Sequence, residues 1–285
     1  MNYISSGSFY GMYVLSMLLF GTNGYLVSHI SLQSSQIVLV RTLIGGILLS
    51  AMVLLQNDFT YSRIKPELRN LLAGGIALGL NWVALFAAYR MLNVSLATLI
   101  YYAGPMLVLL FSPWLFREAL TKRKLTAIII VAVGLLCITG SIAAGKLSMA
   151  GLVTAVGSAL FYAALIVFNK RIKNTGGLQT AAIELDVAFV VVLLYVLFTS
   201  GFSYPLATDI PYLLTIGLLN TGLAYFLYFS SMQRLPAQSV ALISYIDPVS
   251  ALLFSAWLLN ENMTLLQIAG AVFIIGGAIL GELGD

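Results

Sequence analysis

The sequence predicts an all-α integral membrane protein of ten transmembrane helices, arranged as two inverted five-helix repeats with both termini cytoplasmic. Three observations carry that prediction. First, the 285-residue chain is 60% hydrophobic and 8% charged, with a mean hydropathy of +1.00, whereas soluble domains carry roughly 25% charged residues. Second, apolar runs of about 20 residues, the length that crosses the hydrocarbon core as helix, recur from end to end. Third, residues 92–118, LNVSLATLIYYAGPMLVLLFSPWLFRE, align without a gap on residues 235–261, LPAQSVALISYIDPVSALLFSAWLLNE. In that register Leu99 meets Leu242, Tyr102 meets Tyr245, Pro105 meets Pro248, Trp114 meets Trp257 and Glu118 meets Glu261.

Taken in order, the runs cover about 8–29, 35–56, 69–90, 95–115, 123–141, 148–170, 177–199, 209–230, 236–258 and 263–282. The first lacks a basic leader and a small-residue cleavage site, so it reads as a permanent span. The connections are short, which makes neighbouring helices antiparallel. Connections after the second, fourth, sixth and eighth runs hold Arg63, Lys65, Arg69, Arg117, Lys122, Arg123, Lys124, Lys170, Arg171, Lys173 and Arg234, whereas the opposite set holds Arg90 and Lys146. Basic residues mark the cytoplasmic side. With five spans per half, the fourth span and its echo, the ninth, then run in opposite directions. Residues 1–143 form the first repeat and 144–285 the second, together one transmembrane unit. Inverted repeats are the pattern of alternating-access carriers, with the binding site near the midplane between the halves.

Further segments agree with a known family. FGTN at 20–23, LVRTLIGGILL around Arg41, the two proline segments, and the glycine-rich LTAIIIVAVGLLCITG and LLQIAGAVFIIGGAILG together resemble the EamA-type permeases of the drug/metabolite transporter superfamily. The resemblance covers essentially the whole chain. It implies alternating access and export of amino acids or related compounds across the bacterial inner membrane. The chain departs from the family pattern at Asp247, where such permeases often have glycine or an apolar residue, and at Phe20, where they often have tryptophan.

Asp247 is the leading candidate for chemistry. A charge at the bilayer centre costs at least ~2.5–3.5 kcal/mol, so the carboxylate is expected at a cavity or a partner. Its helical stripe includes Ser244 and Ser250. It reads as a site for a substrate amine or a proton, or as a structural carboxylate bonded to a neighbouring hydroxyl. Pro248 lacks an N–H and is expected to free the carbonyl of Ser244, as Pro105 is for Tyr101; the two prolines are the candidate hinges. Glu184 and Asp186 join Asp247 as coupling candidates, because a desolvated carboxylate disfavours its charged form. They lie about 200° apart on their helix, so they cannot share a face. Arg41, the repeat equivalent of Glu184, is expected to be structural and paired.

Asn23, Asn81, Trp82, Tyr101, Tyr102, Tyr162, Asn220, Ser244 and Tyr245 complete the candidate substrate site, or serve as interhelical hydrogen-bonding residues. The expected cavity is bounded by spans one, three, four, six, eight and nine. Trp114 and Trp257 read as interfacial anchors, and Glu118 and Glu261 as loop or cap residues. Gly134 and Ser141, with Gly270, Gly277 and Gly281, mark close helix packing, within one chain or in a dimer.

The single Cys137 permits no intramolecular disulfide, and the lone His29 leaves no metal site. No GxxxxGK[ST] loop is present, so ATP hydrolysis by this chain is not expected. No cofactor and no nucleic-acid partner are implied. The expected function is secondary active export of a small polar metabolite such as an amino acid, with a proton as candidate coupling ion, by a monomer or homodimer. A carrier of organic cations or choline-like quaternary amines is the alternative, since tyrosines and a tryptophan beside a carboxylate can cage a cation.

Overall fold

A computed structural model describes residues 6–56, 61–92, 94–139, 148–199, 201–260 and 262–282. Glu261, Ser141, Lys146 and the boundary at 143/144 lie outside the described residues. Every regular element among the described residues is a helix, with no strand among them.

The first expected run forms α1 (Ser6–Gly21) and α2 (Asn23–Ser28), interrupted at Thr22, and the second forms α3 (Ser34–Leu55). A short α4 (Tyr61–Ile64) and a 3-10 turn lead into α5 (Leu68–Met91). The fourth run is split into α6 (Val94–Tyr101) and α7 (Ala103–Phe116), and the fifth is α8 (Lys122–Thr139). In the second half α9 (Met149–Arg171) and α10 (Gly177–Thr199) are continuous. The eighth run is α11 (Ile210–Thr215), a π-helical stretch Ile216–Leu223 and α12 (Ala224–Met232). The ninth is split into α13 (Ala237–Ile243) and α14 (Ile246–Leu258), and α15 (Leu265–Glu282) closes the described chain.

Eight helical segments among the described residues are long and apolar enough to cross a membrane, two fewer than the ten expected. The difference has a local cause at each place. The α1 helix stops after 16 residues, and α8 is 18 residues long but begins Lys122-Arg123-Lys124.

The breaks in the two proline segments fall at repeat-equivalent places. They lie at Tyr102 and at Ser244–Tyr245, three or four residues ahead of Pro105 and Pro248. The helices after the breaks end alike too, with Arg117 (φ 60°) and its repeat equivalent Asn260 (φ 55°) in the left-handed region.

Packing exchanges the halves. The α5 helix packs on α9 as α12 does on α1, and α3 meets the π-helical stretch as α10 meets α5. Two repeat-equivalent pairs, α3 with α10 and α8 with α15, pack on each other, and α7 packs on α13, the repeat equivalent of α6. Polar ties at the connections set the sense of this symmetry. Asp209 accepts hydrogen bonds from Ser31 N and Oγ, both at 3.2 Å. At the opposite end of α3, Glu67 accepts from the backbone N–H groups of Lys173 (3.0 Å) and Asn174 (3.1 Å). Asn174 is the repeat equivalent of Ser31, so equivalent connections sit at opposite ends of the molecule.

The glycines allow this packing within one chain. A Cβ added at Gly134 would stand 2.7 Å from the carbonyl oxygen of Gly270, and one at Gly270 would stand 2.7 Å from that of Gly134. Gly134→Val is therefore expected to push α8 from α15 and to destabilise the fold by about 1–3 kcal/mol. Gly157→Ala, where an added Cβ meets nothing within 4 Å, is expected to be neutral or stabilising by about 0.5–1 kcal/mol. Thermal unfolding of the two variants in detergent checks the contrast.

Candidate substrate site

A cavity of about 570 Å³ lies between the halves. Its wall comes from α1, α2, α3, α5, α6, α9, α12 and α14, with Tyr102 at the first break. The α3 wall is an addition to the expected set, and it brings Arg41 into the site. Among the described residues that line the cavity, Arg41 and Asp247 are the charged ones. The cavity shares Ser34, Phe86 and Tyr89 with a second one of about 520 Å³ that reaches Gln33 and Arg90. Both of those residues are exposed, so the site opens at that end. At the other end it is closed. Tyr13 Oη lies 2.8 Å from Ser244 Oγ, which donates to Val240 O at 2.7 Å. Glu118 accepts the backbone N–H groups of Ala237 (2.7 Å) and Gln238 (3.0 Å).

Asp247 reaches the cavity because the chain restarts as α14 just before it. Its Oδ2 accepts a hydrogen bond from Tyr102 Oη at 3.2 Å. Tyr245, the repeat equivalent of Tyr102, donates from Oη to the carbonyl oxygen of Tyr102 at 2.8 Å. The carbonyl of Ser244, expected to be free, accepts the N–H of Asp247 at 3.1 Å. A tight turn has replaced the i→i−4 bond that Pro248 cannot make.

Arg41 is held from outside the cavity. Its Nε donates to Thr221 Oγ1 at 2.8 Å, and Nη2 lies 3.5 Å from Asn220 O. Both acceptors belong to the π-helical stretch, a widening that helices often carry at functional sites. The guanidinium stands 5.6 Å from the centroid of the Trp82 ring, within cation–π range. Asn220 does not line the cavity. Its Nδ2 donates to Leu19 O (2.6 Å), Thr22 Oγ1 (2.7 Å) and Asn23 Oδ1 (3.2 Å), fixing the interruption between α1 and α2.

The other candidates divide. Asn23, Asn81, Trp82, Tyr101, Tyr102 and Tyr162 line the cavity with Asp247. Asn81 Nδ2 is already engaged with Ser158 O at 2.8 Å and Ser158 Oγ at 3.1 Å. Tyr101 stacks on Tyr162, with ring centroids 5.1 Å apart and planes inclined by 9°. Ser244 and Tyr245 are buried behind the wall. Neither Glu184 nor Asp186 is among the lining residues. Glu184 is fully buried, takes two hydrogen bonds from Asn169 Nδ2 (3.0 and 2.9 Å) and packs over Gly74. Asp186 is on the exposed flank of α10 and accepts from Ser50 Oγ at 2.7 Å.

Several lining residues have no counterpart in the expected set. Phe20, Tyr89, Tyr225 and Tyr228 add aromatic surface. Phe20 and Trp82 both pack on Tyr225, at 4.9 and 5.8 Å between ring centroids. The spacing of Tyr225 and Tyr228 puts both on one helix face, which was the available signal. The Tyr228 hydroxyl is buried with no hydrogen-bond partner among the described residues.

Membrane-length helices around a cavity lined by two charged side chains are an arrangement suited to a small-molecule transporter. The pattern of the EamA-like transporter family matches the chain twice, at residues 7–140 and 149–281, and the chain belongs to that family. It is 29% identical over 271 residues to the "Uncharacterized transporter YxxF" of Bacillus subtilis, covering 94% of this chain and 87% of the relative. It is 27% identical over 241 residues to the "Probable amino-acid metabolite efflux pump" of Salmonella typhimurium, covering 79% and 80%. A solved structure titled only "Crystal structure of protein" superposes with a TM-score of 0.87 at 20% identity, covering 98% of this chain and 99% of the other. At that identity it speaks to the fold alone.

Thr221→Val removes the acceptor of the Arg41 Nε–H and leaves a buried charge with one long bond. A hydrogen bond to a charged group contributes about 1.5–3 kcal/mol. The variant is expected to lose stability of that order in chemical unfolding, while Ser50→Ala, far from Arg41, loses less.

Proposed function

We propose that this protein is a ten-span, inverted-repeat carrier of the bacterial inner membrane, with both termini cytoplasmic, that exports a small zwitterionic metabolite of the amino-acid class. The observation that carries the reading is that Arg41, from α3, and Asp247, from α14, both line the one cavity. A zwitterion places its carboxylate at Arg41 and its ammonium at Asp247, so both charges of the cavity find counter-charges. The aromatic wall takes the remaining apolar part. The volume is in the range of small-molecule sites, roughly 300–1,000 Å³. The relatives named as amino-acid metabolite efflux pumps in Salmonella typhimurium and Escherichia coli support the same cargo class.

Orientation rests on the basic residues. Glu118, which clamps α13, neighbours Arg117, Lys122, Arg123 and Lys124. That end is cytoplasmic by the positive-inside rule, and the cavity therefore opens outward. Of the three coupling candidates, Asp247 is the one on the cavity wall, so any proton coupling runs through it. Tyr101, Tyr102, Tyr225 and Trp82 favour a second reading, a quaternary-amine carrier. Arg41 counts against it, because a cargo with no anionic group leaves a second cation in the cavity.

Proteoliposome counterflow of a panel of labelled amino acids and amines tests the cargo. Asp247→Asn and Arg41→Gln are each expected to lower amino-acid exchange ~10–100-fold, the effect of one lost charged hydrogen bond, with unchanged folding in detergent. Full exchange by Asp247→Asn would sink the role of the carboxylate. Choline exchange that survives Arg41→Gln, with no amino-acid exchange by the unaltered protein, would establish the quaternary-amine carrier instead.

A further inference from the structure

We infer that Tyr102 and Tyr245 form a hydrogen-bond exchange switch, which occupies Asp247 while the cavity is open at the Arg90 end and frees it when the cavity opens at the other. The inference rests on the inverted-repeat alternation proposed above, in which the halves trade conformations between the two states.

Each tyrosine stands at a helix break, and the two are equivalent in the repeat. Both are buried, with 8% and 1% of their surface exposed. In this state Tyr245 Oη donates to Tyr102 O, and the single hydroxyl proton of Tyr102 is given to Asp247. Trading the halves turns the first bond into its mirror, Tyr102 Oη to Tyr245 O. A phenol has one proton to donate, so making the mirror bond withdraws it from Asp247. The mirror position of Asp247 is Gly104, which offers Tyr245 no carboxylate in return. The asymmetry between Asp247 and Gly104 thus makes the carboxylate state-dependent. It is unpaired when the cavity faces the basic end and recaptured by Tyr102 when the cavity faces away. A cargo ammonium is then held more tightly at the basic end than at the other, an asymmetry of affinity between the two faces.

Double electron–electron resonance across the mouth reads the two states without any cargo. Spin labels at Gly24→Cys and Met91→Cys, in a Cys137→Ala background, report the ratio of open to closed mouths. Gly24 lines the cavity where an added Cβ meets nothing within 4 Å, and Met91 is 39% exposed at the end of α5. Tyr245→Phe removes a bond made in the open state alone and is expected to lower the ratio roughly 2- to 10-fold, the range one hydrogen bond carries. Asp247→Ala removes an open-state bond as well and is expected to lower it by at least as much. Tyr102→Phe removes one bond from each state, so its ratio is expected to fall between those of Asp247→Ala and the unaltered protein. Asp247→Ala added to Tyr102→Phe is expected to change nothing further. Should Asp247→Ala not fold, Asp247→Gly, which restores the Gly104 match, replaces it. Equal losses from Tyr102→Phe and Asp247→Ala would mean a static bond and overturn the switch, as would a Tyr245→Phe ratio at or above that of the unaltered protein. Because no cargo is present, failure of the exchange assay leaves this result standing, and failure here leaves the cargo assignment standing.

Discussion

The hydrogen bond from Tyr245 Oη to the carbonyl of Tyr102, 2.8 Å long, is what the cavity is built around. A backbone carbonyl without a partner in hydrocarbon costs several kcal/mol, so a helix broken in mid-membrane needs a substitute for every bond it gives up. Pro105 and Pro248 each remove a donor. The second break satisfies itself, because the N–H of Asp247 turns back to the carbonyl of Ser244. At the first break Pro105 withdraws the donor from the carbonyl of Tyr101, and the carbonyl beside it, that of Tyr102, is engaged by a side chain from the other half. Two breaks that would each be a fault in isolation become a joint between repeats, and the joint sets Asp247 against the cavity.

On this symmetric frame the two halves use equivalent positions for different ends. Arg41 and Glu184 occupy the same place in the repeat. Glu184 is sealed, with both carboxylate oxygens on Asn169 and the bare backbone of Gly74 beneath it. Arg41 instead faces the cavity, braced by the π-helical stretch and stacked near Trp82. Tyr102 and Tyr245 differ in the same way, since one touches a carboxylate and the other a carbonyl. Fold symmetry supplies the packing, and departures from it supply the charged groups of the site.

Eight of the ten expected spans, the repeat and the place of Asp247 at a cavity were legible in the chain because they rest on run length, register and the cost of a charge in the bilayer. The faces next to the breaks were not. In an unbroken helix Ser244 and Asp247 lie three residues apart and share a face, which is why Ser244 read as a site residue. The break at Ser244–Tyr245 turns the preceding segment, so Ser244 meets Tyr13 and Tyr245 packs with Val131 and Ile274. Glu184 and Asp186 read as coupling groups for their charge alone. Their partners, Asn169 from α9 and Ser50 from α3, come from other helices, and such pairings are not visible along the chain. Arg41 read as structural because a buried guanidinium is costly unless paired. Its acceptors are a hydroxyl and a carbonyl on a π-helical stretch, which no local pattern announced.

The closed end shows why so compact a joint can govern access. Glu118 accepts from the two N–H groups at the start of α13, and Lys170 Nζ donates to the carbonyls of Met232 and Leu235 just before it. Opposite charges thus hold the two sides of one turn, with Gln238 Nε2 bonded to Ser112 Oγ at 2.6 Å beneath them. At the open end Arg90 in the last turn of α5 donates to Gln33 Oε1 just ahead of α3, at 3.2 Å and in an exposed position. Exposed polar pairs contribute little, and buried ones more. In the proposed alternating cycle a handful of bonds at each end, each of about 1 kcal/mol net, must be exchanged between the two states. A carboxylate beside the joint is placed to bias that proposed exchange, and Asp247 holds that position.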